Sequence, residues 1–181
     1  MHMSATETLR KDHIQIRRLE NIITKCYQKL YAEENIPLSD IEKITIIISE
    51  FLDAIHYSRE EDAYFPCVAA YDSLKKEIRA FMIEHEFGRR IAKSITSHLQ
   101  KWKEGHEARE PVARFLKTYS IYLNDHMTKE EHFFDVAEKE ILDPEEEKMM
   151  YEEFKAVTAV MTRFDQMMES IESLEQKDWM K

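Results

Sequence analysis

Four histidines and two glutamates repeat at matched spacing along the chain. One pair of segments, His13-Ile-Gln-Ile-Arg17-Arg18 and His85-Glu-Phe-Gly-Arg89-Arg90, reads H-x-x-x-R-R. A second pair, His56-Tyr-Ser-Arg59-Glu60-Glu61 and His126-Met-Thr-Lys129-Glu130-Glu131, reads H-x-x-[RK]-E-E. His13 and His85 are 72 positions apart and His56 and His126 are 70 apart, as a duplicated helical hairpin would place them. Each copy holds one lone His and one H-x-x-x-E pair. Imidazole and carboxylate together are ligands for first-row transition metals. On a helix, residues i and i+4 share a face, so His56 with Glu60 and His126 with Glu130 each point one way.

The elements that must carry these residues are helical. Only two glycines and four prolines stand among 181 residues, too few turn formers for a sheet protein. Apolar periodicity predicts a first helix over 5–33, with Leu9, Ile16, Leu19, Ile23 and Leu30 on its inner stripe. Ser39 and Glu42 read as a capping box opening a second helix, which Pro66 is expected to stop near Tyr64. Asp72 or Ser73 caps a third helix that ends at Gly105, and Pro111 opens a fourth running to about Ile141. Asp143-Pro144 opens a fifth. The expected fold is all-α: an up-down-up-down four-helix bundle over 1–142, with an appended C-terminal helix over 143–181.

At ~1.5 Å per residue, measured from each hairpin loop, all six side chains fall about 22–30 Å along their helices. They therefore share one level of the bundle. Carboxylates buried there without partners would carry a large desolvation penalty, which a metal ion removes. The donor count suits two ions, bridged by Glu60 and Glu130 and capped by two imidazoles each. Mixed nitrogen and oxygen donors with open positions favour iron ahead of manganese or zinc.

These residues resemble the hemerythrin-like, or HHE cation-binding, family, whose four-helix bundle holds a non-haem di-iron centre. The resemblance covers about residues 5–141 and rests on the ordered series H … H-x-x-x-E … H … H-x-x-x-E. It implies that His13, His56, His85 and His126 are terminal ligands, that Glu60 and Glu130 bridge, and that two iron ions carry an oxo or hydroxo bridge. Oxygen-carrying hemerythrins have a fifth His where Arg89 stands, and an Asp at i+5 where this chain has Glu130 at i+4. Both departures resemble the branch of iron–sulfur-cluster repair proteins and of the iron-sensing domain of an F-box protein. The implied function is binding of O2, NO or peroxide at an open iron position, in a stress response. Turnover would make it an oxidoreductase acting on NO or peroxide. The alternative is an iron or redox sensor, or an iron donor for cluster repair.

Around the six, Tyr64 and Tyr122 stand four residues from Glu60 and His126 and are candidates to donate to a ligand. Arg89 is a candidate to screen the cluster, reaching acids such as Glu86. Glu61 and Glu131 point about 100° from their neighbours and read as solvated or as supports of the ligands. Gly88 costs about 1 kcal/mol in a helix and marks a need for room, for a small molecule or for close packing. His2, His98, His106 and His132 read as surface, and Cys26 and Cys67 as inert. Ferritin-type E-x-x-H is absent.

A net charge of −10, from 36 acidic and 26 basic residues, leaves no footprint for nucleic acid. No apolar run approaches the ~20 residues of a membrane span, and no secretory stretch stands near residue 1, so a cytoplasmic location is expected. Met150, Phe154, Val157, Met161, Phe164, Met168 and Ile171 form a heptad seam on the fifth helix. That seam would pack on the bundle, form a homodimer or meet a protein partner.

Overall fold

The structure, a computed structural model, describes residues 4–156 and 158–181. Its ordered elements are all helical, with no strand among the described residues. Helix α1 (Ala5–Tyr31) starts at Ser4, whose hydroxyl accepts the Glu7 amide at 3.0 Å. Helix α2 is one continuous rod over 38–70, α3 is Lys75–Lys103, and α4 is Arg109–Val136 prolonged by a π-helical turn over Ala137–Ile141. Short loops return each helix along the last. α1 packs on α4, α4 on α3 and α3 on α2, closing the up-down-up-down bundle.

α2 departs from the expectation in two places. It begins after Pro37 (φ −56°, ψ 129°), so Ser39 already lies inside the helix and forms no cap. It also passes through Pro66 and ends at Ala70. The reason is π-helical winding over Ile48–Tyr57 and Glu60–Tyr64. The Phe65 amide bonds the Glu60 carbonyl, five residues back, and Pro66 then falls in the first turn of a fresh α segment, where its missing N–H is not needed.

α3 has no side-chain cap either. Leu74 enters it in a left-handed conformation (φ 53°), and the Asp72 carboxylate pairs with Lys75 instead. Gly105, at φ 93°, ends the helix as its lack of a Cβ permits.

The C-terminal segment is two helices rather than one. Asp143 and Glu146 form a full capping box for α5 (Pro144–Lys155), and α6 spans Thr158–Glu175. The expected seam therefore breaks. Met150, Phe154 and Ile171 are buried, whereas Met161 is exposed; Val157 lies outside the described residues. Met167 and Leu174 join Ile171 on the inner face, and α6 lies along α1 and α2 as part of the main core. Arg18 clasps Glu175 at 2.6 Å, and the Trp179 indole donates to Asp40 at 3.0 Å. No helix among the described residues is long and apolar enough to cross a membrane.

The core itself is divided. One apolar cluster holds Ile16 and beyond on α1, up to Tyr57 on α2, Ile91 and beyond on α3, and up to Met127 on α4. The other holds Leu9, Tyr64, Phe81 and Phe133 on the same four helices. Between them, on every helix, lies one polar layer.

Candidate metal centre

That layer consists of His13 on α1, His56 and Glu60 on α2, His85 on α3, and His126 and Glu130 on α4. All six are at most 1 % exposed. The ligand atoms of His13, His56, Glu60 and Glu130 lie within 4.8 Å of one another, as do those of His85, His126 and Glu130. Glu130 belongs to both groups, with Nε2 of His13, His85 and His126 at 3.3, 3.4 and 3.0 Å from its oxygens. Glu60 meets Nε2 of His56 at 3.5 Å and of His85 at 3.4 Å.

Each imidazole turns its other nitrogen to an acid on a neighbouring helix. Nδ1 of His56 meets Asp12 at 3.3 Å, His85 meets Glu61 at 2.6 Å, His126 meets Glu84 at 2.7 Å, and His13 meets Glu131 at 2.6 Å. The pairs run α1 to α2, α2 to α3, α3 to α4 and α4 to α1, a closed ring that crosses every interface. A cation stands behind each acid: Arg59 on Asp12 at 2.7 Å, Arg89 on Glu61 at 3.0 Å, Lys129 on Glu84 at 2.5 Å and Arg10 on Glu131 at 3.3 Å. This explains the basic residue of H-x-x-[RK]-E-E. Arg59 grips the same acid as His56, and Lys129 the same acid as His126. Asp12 and Glu84 are the supports that sequence reading missed, although both directly precede a repeat histidine.

The ring orients the imidazoles with Nε2 inward, the arrangement that metal-binding histidines use. Burial opposes charge on His13 and His85, but the carboxylates on both ring nitrogens outweigh it and raise their pKa to about 9 and about 11. His126 is raised for the same reasons. Burial likewise opposes charge on Glu130, yet His126, His13 and His85 hold its pKa well below the usual carboxylate range. Even so, Nε2 of His13, His85 and His126 and both oxygens of Glu60 and Glu130 are buried with no hydrogen-bond partner. Polar atoms enclosed this way are costly in protein alone.

The hydroxyls of the two flanking tyrosines meet other side chains. The Tyr64 hydroxyl meets Thr6 Oγ1 at 2.5 Å and so ties α2 to α1, where Glu147 of α5 also bonds Thr6. Tyr122 lays its ring over His126 (5.4 Å, 21°) and shares its hydroxyl with Tyr57 at 2.8 Å. Tyr57, not singled out from sequence, stacks on His85 at 3.7 Å and 14°. Gly88 makes room for Tyr122, since a Cβ there would fall 2.6 Å from the ring. Arg89 is held by Asp53, Glu86 and Glu61 and lies over the Tyr57 ring. His106 and His132 are exposed, His98 is half-buried against Phe115, and His2 lies outside the described residues. Cys26 is enclosed, and burial pushes its thiol up to about 12.

A helical bundle whose core is interrupted by four imidazoles and two carboxylates, each imidazole braced by an acid, is a cation-binding bundle. The profile of the hemerythrin HHE cation-binding domain matches residues 4–137, and the chain belongs to that family. Comparison with the curated proteins and with the solved structures gave no match.

Proposed function

We propose that this protein is a non-haem di-iron protein that binds O2, NO or peroxide at an open iron position and acts in a stress response. The observation that carries the reading is the set of enclosed, partnerless atoms on Glu60, Glu130, His13, His85 and His126. Two donor groups sharing Glu130 fit two ions. Mixed imidazole and carboxylate donors fit iron ahead of manganese or zinc. His13, His56, His85 and His126 would be terminal ligands, with Glu60 and Glu130 between the ions. When bound, the ions would supply redox chemistry and an exchangeable position. The chain's own contribution is to turn each Nε2 inward by anchoring Nδ1 to an acid, and to exclude water with the apolar clusters above and below. Iron content per chain, with the visible spectrum before and after NO, tests this. About two irons and an NO-sensitive oxo-bridge band are expected for a site of this donor set; a chain purified without chelator that holds no iron overturns it.

A second reading, an iron or redox sensor or an iron donor for cluster repair, draws on one contact chain. Asp12 braces His56 and pairs with Arg59, whose guanidinium lies 5.5 Å from the Phe154 ring of α5 and 5.8 Å from the Phe164 ring of α6. Metal loss would thus reach the C-terminal helices. A homodimer or foreign partner would use their outward side, where Met149 and Met161 are exposed. A scattering mass that stays monomeric at all concentrations would exclude the homodimer.

A further inference from the structure

The outward face of α3 carries apolar side chains that nothing in the chain covers. Ile83, Phe87 and Met82 are 65 %, 51 % and 38 % exposed there. With Arg79, Glu86 and Arg90 they line a groove of about 540 Å³. Positions 79, 83, 87 and 90 follow the spacing of one helix face, so the stripe reads arginine, isoleucine, phenylalanine, arginine. Exposed apolar side chains grouped within a polar rim mark interaction surfaces. α5 and α6 leave this one open, because they pack on α1 and α2.

The internal repeat shows that the fold does not require such a face. Positions on α1 recur 72 residues later on α3. Arg79, Met82, Ile83, Phe87 and Arg90 then correspond to Glu7, Arg10, Lys11, Gln15 and Arg18. All five on α1 are polar, and each is used within the chain. Lys11 pairs with Glu7 at 3.0 Å and Arg10 with Asp135 at 2.9 Å. Arg18 bonds Gln15 at 2.7 Å and Glu175 at 2.6 Å. Over the matching stretch α1 exposes one large apolar side chain, Ile14, where α3 has Glu86.

α1 also shows what the second arginine of H-x-x-x-R-R takes. Glu175, which clasps Arg18, comes from a helix lying alongside. That helix, α6, is amphipathic: Met167, Ile171 and Leu174 face the core, while Asp165, Glu169, Glu172 and Glu175 outnumber Arg163. Arg90 holds the same place on α3 with no such helix beside it. Arg90, Arg79 and Lys76 form no ion pair among the described residues, and Glu86 is already held by Arg89 at 2.7 Å. A chain of net charge −10 therefore presents a basic rim around this apolar stripe. Complementary charge steers a partner and fixes its register. An anionic membrane fits less well: it takes clusters of about 4–8 cations, more than stand here, and it repels the chain as a whole.

The geometry points to an acidic amphipathic helix of another protein as the occupant of this face. Its carboxylates meet Arg79 and Arg90, and its apolar side chains cover Ile83 and Phe87. The contact reaches inward as well. The Phe87 ring meets Tyr122 edge-on at 5.8 Å and 79°, and Tyr122 lies over His126. The partner thus sits two ring contacts from the polar layer. The docking does not depend on which ion that layer holds, so it stands or falls apart from the di-iron reading.

The test uses the full chain as purified. The probe is a peptide with leucine at helical spacing and glutamate at its other positions, titrated calorimetrically at low and at physiological salt. Binding that weakens as salt rises is expected. Arg79→Glu with Arg90→Glu should lower the affinity at least about tenfold. Ile83→Ser with Phe87→Ser should lower it as far at both salt concentrations, since the apolar contact is not screened. Melting temperatures should stay near that of the parent chain, because these side chains lie at the surface. Lys117→Glu reverses an exposed charge on α4 and should leave the affinity where it was. The same peptide with lysine in place of glutamate should not bind. Failure of the acidic peptide to bind, or binding unchanged by either pair of substitutions, overturns the inference. A parent chain that dimerises until Ile83 and Phe87 are replaced also overturns it, in favour of a second copy on this face. Binding to vesicles of anionic lipid but not to the peptide overturns it in favour of a membrane.

Discussion

Glu130 touches three of the four imidazoles and belongs to both donor groups, whereas His56 belongs to one. Glu130→Ala should therefore lose both ions, while His56→Ala should keep about one, held by the three remaining donors of the other group. Metal analysis of the two purified variants checks this, and equal retention would contradict it. Gly88 invites a second residue-level test. Alanine there forces the Tyr122 ring to move, and such overpacking costs about 1–3 kcal/mol. In a Tyr122→Ala background most of that cost should vanish, because the two positions share one space; urea unfolding of the four proteins measures the coupling. The six histidine and glutamate positions are legible in the sequence because those types are uncommon on a buried helix face and helical rise fixes their level. Asp12 and Glu84 are not, since they are two of 36 acids and their roles arise only across helix interfaces. The orientation of the Tyr64 and Tyr122 hydroxyls is hidden for the same reason.

Among the elements, α2 and α6 depart most from what periodicity foretells, for different physical causes. π-Helical winding leaves no mark on apolar spacing over two turns, so Pro66 reads as a stop although the chain absorbs it. The winding nonetheless passes through His56 and Glu60, where the ligand direction is set. In the C-terminal segment a period of three and four residues describes either one long helix or two short ones, and only packing against α1 and α2 selects Met167, Ile171 and Leu174 as the inner face. Ile171 is fully enclosed. Ile171→Ala should cost about 2–5 kcal/mol by cavity formation. Equilibrium unfolding that drops by less than 0.5 kcal/mol would mean that α6 is not an integral part of the core.

For the whole molecule, the division of the core makes the polar layer the place where stability and ligation meet. Two apolar clusters press on a layer in which Nε2 of His13, His85 and His126 and the carboxylate oxygens of Glu60 and Glu130 have no hydrogen-bond partners. Each unsatisfied buried group costs about 1–3 kcal/mol, and an ion that satisfies several of them binds the folded chain only. Free metal at about 100 times its dissociation constant adds about 2.7 kcal/mol. For a chain of this size that raises the melting temperature by about 5–10 °C. Chelation should reverse the rise, which scanning calorimetry of the loaded and stripped protein reads directly. The place where the stripped protein loosens separates the two functional readings. If Asp12 and Arg59 carry the state of His56 to Phe154 and Phe164, amide exchange on stripping should quicken in α5 and α6 as well as beside the layer. Exchange that quickens only around His13, His56, His85 and His126 would leave the sensor reading without a route to its surface and favour the proposed ligand-binding reading alone.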